Sequence, residues 1–402
     1  MISARTYLDH NATTTLRPEA RAATIQALDG LGNPSSVHRE GRLARKIIED
    51  AREQVAALAG ATPAQVVFTS GASEANNWVA GAGWDTIIVS AIEHVSMLEP
   101  VRVAADRTGT VVREIGADQT GVTDVGAIAD AILRGENGSC ENYPTQLAQG
   151  VTQRATHALP SRTLVALQSA NNETGAIQPI PEVAAFCADH DVALHTDAVQ
   201  AAGRMVLAFN DSQLTTMSLS SHKIGGPTGV GALIVRDGVN LPAQIVGGGQ
   251  ERRRRSGTEN ILGIAGFGAA AEAASEEALC ASRLVDLREM LEAGIQEITP
   301  EANIIAQDAA RLPNTTCFSL SGVMAETLVI KLDLAGLAVS AGSACSSGKV
   351  GQSHVLMAMG LGPVTAAQAI RVSLGWNSSK QDIEAFLKTW CDLARGSERA
   401  VA

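Results

Sequence analysis

The residues of this 402-residue chain that could do chemistry begin with a lysine, in Ser218-Leu219-Ser220-Ser221-His222-Lys223-Ile224-Gly225-Gly226-Pro227. A short strand is expected to run into a polar turn there, followed by a glycine-rich loop and a second strand from Val230 to Val235. A lysine amine after a histidine and hydroxyls, and before flexible backbone, suits a Schiff base beside a phosphate. A solvated surface charge is its plainer reading. Upstream, His195-Thr196-Asp197-Ala198-Val199-Gln200 puts an acid just past the carboxyl end of an expected strand. Layered α/β sheets bind ligands at that edge. A carboxylate there can hold a pyridine nitrogen protonated, which turns the ring into an electron sink. It can equally be a cap.

Two patches of small residues could hold a phosphate. Thr69-Ser70-Gly71-Ala72-Ser73-Glu74 stands where a strand gives way to a helix, and free N–H groups at a helix start attract anions. A plain N-cap by Ser73 explains the same residues. Arg254-Arg255-Ser256-Gly257-Thr258-Glu259-Asn260 is a second hydroxyl-and-glycine patch, among cations. Phosphate anchor, ring-nitrogen acid, Schiff-base lysine and further phosphate donor together fit one cofactor, pyridoxal phosphate. Beyond them, Cys345 sits in Ser340-Ala341-Gly342-Ser343-Ala344-Cys345-Ser346-Ser347-Gly348, a stretch with nothing to bury a thiol against. Such a cysteine is expected to be exposed and nucleophilic. Arg371, within the apolar Ile370-Arg371-Val372-Ser373-Leu374, needs a partner. A substrate carboxylate and an internal salt bridge both qualify.

The elements that must position these residues alternate. Strands are expected at 66–69, 86–90, 111–115, 164–168 and 192–196, with helices at 40–59, 73–82, 124–133 and 181–190. That rhythm indicates an α/β domain with a largely parallel sheet. Residues 134–160 break it and read as a surface insertion. From Ile261 onward an alanine-rich helix, strands near 317–320 and 338–340, and a last helix at 382–393 indicate a smaller α+β domain. Gly266-Phe267-Gly268-Ala269-Ala270-Ala271 imitates a dinucleotide fingerprint but has no strand before it, and is set aside.

Composition agrees with an enzyme. Hydrophobic residues make up 45% and charged residues 18%, which excludes a disordered chain. The net charge of −11 gives no general attraction to nucleic acid or anionic membrane, so the basic run Arg252–Arg255 is a local solvated or interface patch. No stretch reaches the roughly 20 apolar residues of a membrane span, and no signal pattern opens the chain. Six scattered cysteines (140, 187, 280, 317, 345 and 391) without metal-type spacing suggest reduced thiols in the cytoplasm, most of them buried. No metal site is expected.

With these residues in view, the chain resembles the cysteine desulfurases of the NifS/IscS type, fold-type I pyridoxal phosphate enzymes of the class V aminotransferase family. The resemblance is carried by Tyr7–Thr14, Gly32–His38, Phe68–Asn77, Glu93-His94, Asn171–Gly175, His195–Gly203, Ser221–Leu233, Gln250–Asn260, Ser340–Gly348 and Arg371–Leu374. It implies a large cofactor-binding domain at 16–260 and a small domain made of 1–15 and 261–402, which carries the cysteine loop. It further implies that Lys223 forms the Schiff base, Asp197 pairs with the ring nitrogen, and His94 stacks on the ring and shuttles protons. Gln200 and Asn172 would contact the ring hydroxyl side, and Asn172 with Arg371 would bind substrate, Arg371 at its carboxylate. Ala72, Ser73, Ser220 and His222 would hold the phosphate, with Thr258 donated by a second subunit of a homodimer. Cys345 would take sulfur from L-cysteine as a persulfide, leaving alanine, and pass it to an iron–sulfur scaffold or another acceptor protein.

Four positions depart from the family pattern. Ser73 stands where threonine is usual, and keeps the hydroxyl. Thr228 replaces a frequent lysine, and Trp376-Asn377 a basic–aromatic pair. Two alternatives fit the same motifs less well. A related lyase or aminotransferase, such as a selenocysteine lyase, does not need the Cys345 loop. A non-catalytic sulfur carrier or scaffold-binding protein of the same fold does not need Lys223, Asp197, His94 and Cys345 all intact.

Overall fold

Apolar runs closed off by glycine and hydroxyl residues become the strands of a seven-stranded sheet, the frame for most of the candidate residues. The computed structural model describes residues 5–30, 32–136, 162–342 and 352–401. Cys345, Cys140 and all but the start of the insertion expected at 134–160 lie outside them. The first part of the chain holds β1 (Thr6–Tyr7), α1 (Pro18–Leu28), α2 (Arg39–Ala59), β2 (Val66–Thr69), α3 (Ala72–Ala80), β3 (Thr86–Ser90) and α4 (Val95–Thr108). It continues with β4 (Val111–Ile115), α5 (Val125–Glu136), β5 (Thr163–Ala166), α6 (Ile180–Asp189), β6 (Ala193–Asp197), β7 (Thr216–Ser220) and β8 (Gly231–Val235).

The sheet order is β2-β8-β7-β6-β5-β3-β4. The pairs from β7 across to β4 are parallel, while β8 runs antiparallel to both β7 and β2. Every strand except β8 therefore points the same way, and the residues that follow β2, β3, β5, β6 and β7 emerge at one edge. The order reverses between β3 and β5, the kind of switch point where open α/β sheets leave a crevice for ligand. Close packing at that edge needs glycine: a Cβ on Gly231 would lie 2.6 Å from the Leu219 carbonyl oxygen and 2.7 Å from Gly71 Cα.

The remaining elements are α7 (Ile261–Ala278), α8 (Ser282–Ile298), β9 (Asn303–Ile305), β10 (Thr315–Ser319), α9 (Ala325–Leu334), β11 (Leu337–Ala338) and β12 (Ser340–Ala341). After them come α10 (His354–Ala358), α11 (Gly362–Gln368), β13 (Ala369–Ser373) and α12 (Lys380–Val401). An antiparallel sheet of order β12-β13-β10-β9 carries its own core, in which Phe318, Phe386 and Trp390 pack with Leu8. β1 pairs in parallel with β11, so the N-terminus joins this smaller unit. Phe267, Ala270, Ala271 and Ala274 of α7 instead belong to the core of the large sheet. That argues for a division after α7 rather than after residue 260.

The helix α4 escapes the sequence reading, because Pro100 and four charged residues interrupt its apolar spacing. Helix α3 starts one residue earlier than expected, at Ala72, with Gly71 rather than Ser73 in the N-cap position. Among the described cysteines, Cys187 and Cys317 are buried, and burial pushes both thiols up to about 12. Cys280 is exposed and Cys391 half-buried, so burial is less general than expected. Among the described residues no helix is long and apolar enough to cross a membrane.

Candidate active site

Lys223 ends a short 3-10 turn, Ser221–Lys223, that follows directly on β7. All five β7 residues are buried, so the turn is fixed by a fully packed strand. The Lys223 Nζ donates to the carbonyl oxygens of Asn11 at 2.5 Å and Ala12 at 2.9 Å. His222 meets Thr13 Oγ1 through Nδ1 at 3.2 Å, and burial, with Lys223 beside it, pushes its imidazole down to about 4. It is therefore neutral near pH 7 and can act as a hydrogen-bond donor from one nitrogen only.

Asp197 closes β6, whose partner register sets it opposite Ser218 of β7. Its carboxylate is buried yet satisfied: Oδ1 accepts the Val199 N–H at 3.0 Å and Oδ2 the Asn76 side-chain amide at 2.8 Å. His94 is the N-cap of α4, where Nδ1 accepts the Ser96 N–H at 3.1 Å and lies 2.7 Å from Ser96 Oγ. Burial lowers its pKa; Asp197 opposes this, and Lys223 and His354 add to it. Asp197 and Lys223 therefore both act electrostatically on His94 at the same sheet edge.

The start of α3 provides Ala72, buried, and Ser73, exposed, in the helix's first turn, where N–H groups have no partner within the helix. Glu74 fixes that turn, accepting the Ser70 N–H at 2.7 Å and pairing with Arg255 at 3.0 Å. Burial works against its ionisation, but Arg255 and Ser70 hold the carboxyl below its ordinary value. The arginine run is thus not a bare solvated patch. Arg255 braces α3, and Arg252 donates to the Ala64 carbonyl. Thr258 is exposed on the loop three residues beyond Arg255.

Arg371 occupies the middle of β13 and is almost wholly buried. Its Nη2 donates to Asp9 Oδ1 at 2.8 Å and its Nη1 to the Asn172 carbonyl at 3.0 Å, while Nε has no partner. The internal salt bridge is present, and Nε is the one guanidinium nitrogen without a partner. Asn11 links this group to the lysine. Its amide donates to the Asn172 carbonyl at 3.1 Å and Thr315 Oγ1 at 2.9 Å and accepts from Asn314 at 2.9 Å. Its carbonyl also receives the Gln200 amide at 3.1 Å, and Gln200 Oε1 accepts from Arg204 at 2.9 Å.

Two buried acids complete the surroundings. Burial pushes Glu173 up to about 7, against a hydrogen bond from Ser353 Oγ at 2.5 Å and the charge of Arg371. Glu93 is raised well above its ordinary value by burial and by Asp197; its Oε1 accepts the Gln168 N–H and its Oε2 has no partner.

The structure thus gathers Lys223, His222, Ser220, Asp197, His94, Asn172, Ala72 and Ser73 at one edge, with Gln200 and Arg371 joined to it through Asn11. Sequence reasoning passed over Asp9, Asn11, Asn76, Ser96 and Glu173. Asp9 and Asn11 lie in Tyr7–Thr14 and Asn76 in Phe68–Asn77, but an amide has no reactive signature of its own. The donor set fits a phosphorylated pyridine cofactor: an amine, a buried acid, a ring-sized histidine and a helix start converge. Among the described residues no His, Cys, Asp and Glu cluster could hold a metal ion.

Comparisons with known proteins agree. The sequence matches the aminotransferase class-V family over residues 6–136 and 144–386. A cysteine desulfurase of Cereibacter sphaeroides is 38% identical over 393 residues, covering 96% of this chain and 94% of that protein. The solved structure of a NifS-like protein from Rickettsia africae superposes with a TM-score of 0.83 at 32% identity, covering 97% of this chain and 99% of that one. A structure of SspA in complex with cysteine superposes with a TM-score of 0.74 at 28% identity, over 92% and 98% of the two chains.

Proposed function

Because the chain belongs to the aminotransferase class-V family, and within it to the pyridoxal phosphate-dependent cysteine desulfurases, we propose how its residues divide the removal of sulfur from L-cysteine. Pyridoxal phosphate, when bound, supplies the electron sink that lets the substrate Cα lose its proton. Lys223 would anchor the cofactor through its amine, and the same amine would serve as the base at Cα. Asp197 holds the ring nitrogen's proton, and His94 covers the ring and moves a proton between substrate and thiol. Ala72, Ser73, Ser220 and His222 hold the phosphate, with Thr258 contributed by the second subunit of a homodimer. Gln200 and Asn172 border the ring hydroxyl, and Arg371 takes the substrate carboxylate through its spare Nε–H. Cys345, as thiolate, attacks the substrate sulfur: a new S–S bond forms, the Cβ–S bond breaks and Cβ takes a proton. Alanine leaves and a persulfide stays on Cys345. Delivery to an iron–sulfur scaffold protein in the cytoplasm completes the reading.

The observation that carries it is the convergence of Lys223, Asp197, His94 and the α3 start on one sheet edge. Purified protein given L-cysteine and reductant is expected to release alanine and sulfide in equal amounts, and both products are expected to vanish in Lys223→Ala and Cys345→Ser. Alanine release that survives Cys345→Ser would sink the persulfide route and favour a related lyase.

A further inference from the structure

Asn76 sits in the second turn of α3, is completely buried, and touches no group that would bond to substrate. Its amide nevertheless meets three polar partners: Asp197 Oδ2 at 2.8 Å and Ser96 Oγ at 2.9 Å on the nitrogen side, and His195 Nε2 at 3.1 Å on the oxygen side. Hydrogen-bond direction then follows from donor capacity. A carboxylate accepts, so the NH2 of Asn76 faces Asp197 and its oxygen faces His195. His195 must donate from Nε2, which leaves its Nδ1 to accept from Thr216 Oγ1 at 2.9 Å. Burial pushes His195 down to about 4, in keeping with that neutral tautomer.

The other arm runs to His94. Ser96 Oγ accepts from Asn76, so its own proton is directed at His94 Nδ1, 2.7 Å away. The Ser96 backbone N–H points at the same nitrogen, 3.1 Å away. Two donors on Nδ1 stabilise the neutral ring and leave Nε2 as the atom that carries its proton. We propose that Asn76 is a positioning residue with two clients: it aims the Asp197 carboxylate, and through the Ser96 hydroxyl it holds His94 as a neutral Nε2–H imidazole. This rests on the roles assigned above to Asp197 and His94. The ionisable groups that act on the network are Glu93 and His94 after β3, Asp197 and His195 on β6, Lys223 after β7, and His354 on α10.

Two titrations read without turnover separate the clients. In cofactor-free protein with nitrogen-15 histidine, the His94 midpoint is expected to rise in both Ser96→Ala and Asn76→Ala, because each loosens a donor from Nδ1. In protein loaded with pyridoxal phosphate, the pH midpoint of the bound cofactor's absorption is expected to shift in Asn76→Ala and stay at the wild-type value in Ser96→Ala. Alanine formation in Asn76→Ala is expected to fall by roughly 10–100-fold, the range for losing an outer orienting partner, in kcat rather than KM. A folded Asn76→Ala with both midpoints unmoved would overturn the proposal. So would a Ser96→Ala variant that shifts the cofactor midpoint as far as Asn76→Ala. Ser96 is only half-buried, so its variant tests the His94 arm even where Asn76→Ala does not fold. Failure of the desulfurase reading would show as missing alanine in the wild type and would leave both titrations readable.

Discussion

Asp197 and Arg371 are both buried and both assigned to ligand, but the fold holds them by opposite means. Asp197 grows out of the large sheet and takes its hydrogen bonds from neutral groups, the Val199 N–H and the Asn76 amide. Arg371 comes from the small sheet and is held by a counter-charge, Asp9, with Nε left over. Neutral donors fix an acid in one orientation without competing for its charge, which suits a partner that stays bound. A guanidinium shared with a carboxylate, with its Nε–H unpaired, is under-satisfied at rest. That suits a partner that arrives and leaves each turn. On the proposed assignment, the cofactor half is finished in advance and the substrate half awaits its ligand.

On that contrast, the largest effect belongs to the finished half. Asp197→Asn is expected to lower kcat for alanine by about 10²–10³-fold, the scale of losing one preorganised charge at a reacting group. Steady-state alanine release measures it, and a loss within threefold would break the comparison. Next comes Arg371→Lys, which keeps the charge but loses the planar fork. It is expected to lower kcat/KM by about 100-fold, chiefly through KM, because the guanidinium holds substrate and transition state alike. A fall confined to kcat would move Arg371 into the chemistry.

Legibility in the sequence followed the same divide. Lys223, Asp197 and the α3 start were readable because strand ends and glycine patches mark the ligand edge of an α/β sheet, and the parallel sheet was readable from alternation. Arg371 was visible only as a cation in an apolar strand; its partner Asp9 is 362 residues away, beyond any local pattern. His94 stood out only through the family resemblance, since the helix it caps is broken in pattern by Pro100. Asn11 and Asn76 were unreadable because their function is to fill hydrogen-bond capacity, which only the assembled neighbours define. The reversed β8 was missed for a related reason: direction is a property of pairing, not of composition.

Glu173 sharpens the substrate half. It adjoins Asn172, feels Arg371, and burial has pushed its carboxyl up to about 7 from an ordinary 4.5. The folded protein therefore keeps a proton that the unfolded chain has released. Linkage gives the sign: this stability is present below about 4.5 and is lost as the pH rises towards about 7. Glu173→Gln, neutral throughout, lacks that fall. Urea unfolding at acid and at mildly alkaline pH is expected to show wild type losing about 3 kcal/mol relative to the variant, at roughly 1.4 kcal/mol per pH unit. A constant difference would mean that the acid stays charged beside Arg371.

The smallest effect tests how the finished half is braced. Glu251, Arg252 and Arg253 follow one another with φ of 43°, 56° and 65°, left-handed backbone that residues with a Cβ avoid. The turn is held because Glu251, buried, takes both Arg52 Nη atoms at 2.8 Å and the Phe68 N–H at 2.9 Å. Arg255 then leaves the turn in position to pair with Glu74 at the start of α3. Arg253 is exposed and its side chain does none of this anchoring, so its backbone strain is uncompensated locally. Arg253→Gly relieves that strain and is expected to raise stability by about 1 kcal/mol, the cost of one left-handed residue less glycine's greater freedom when unfolded. Equilibrium urea unfolding measures it. A variant less stable than wild type would mean that the brace on the phosphate turn draws on the Arg253 side chain as well as on Glu251.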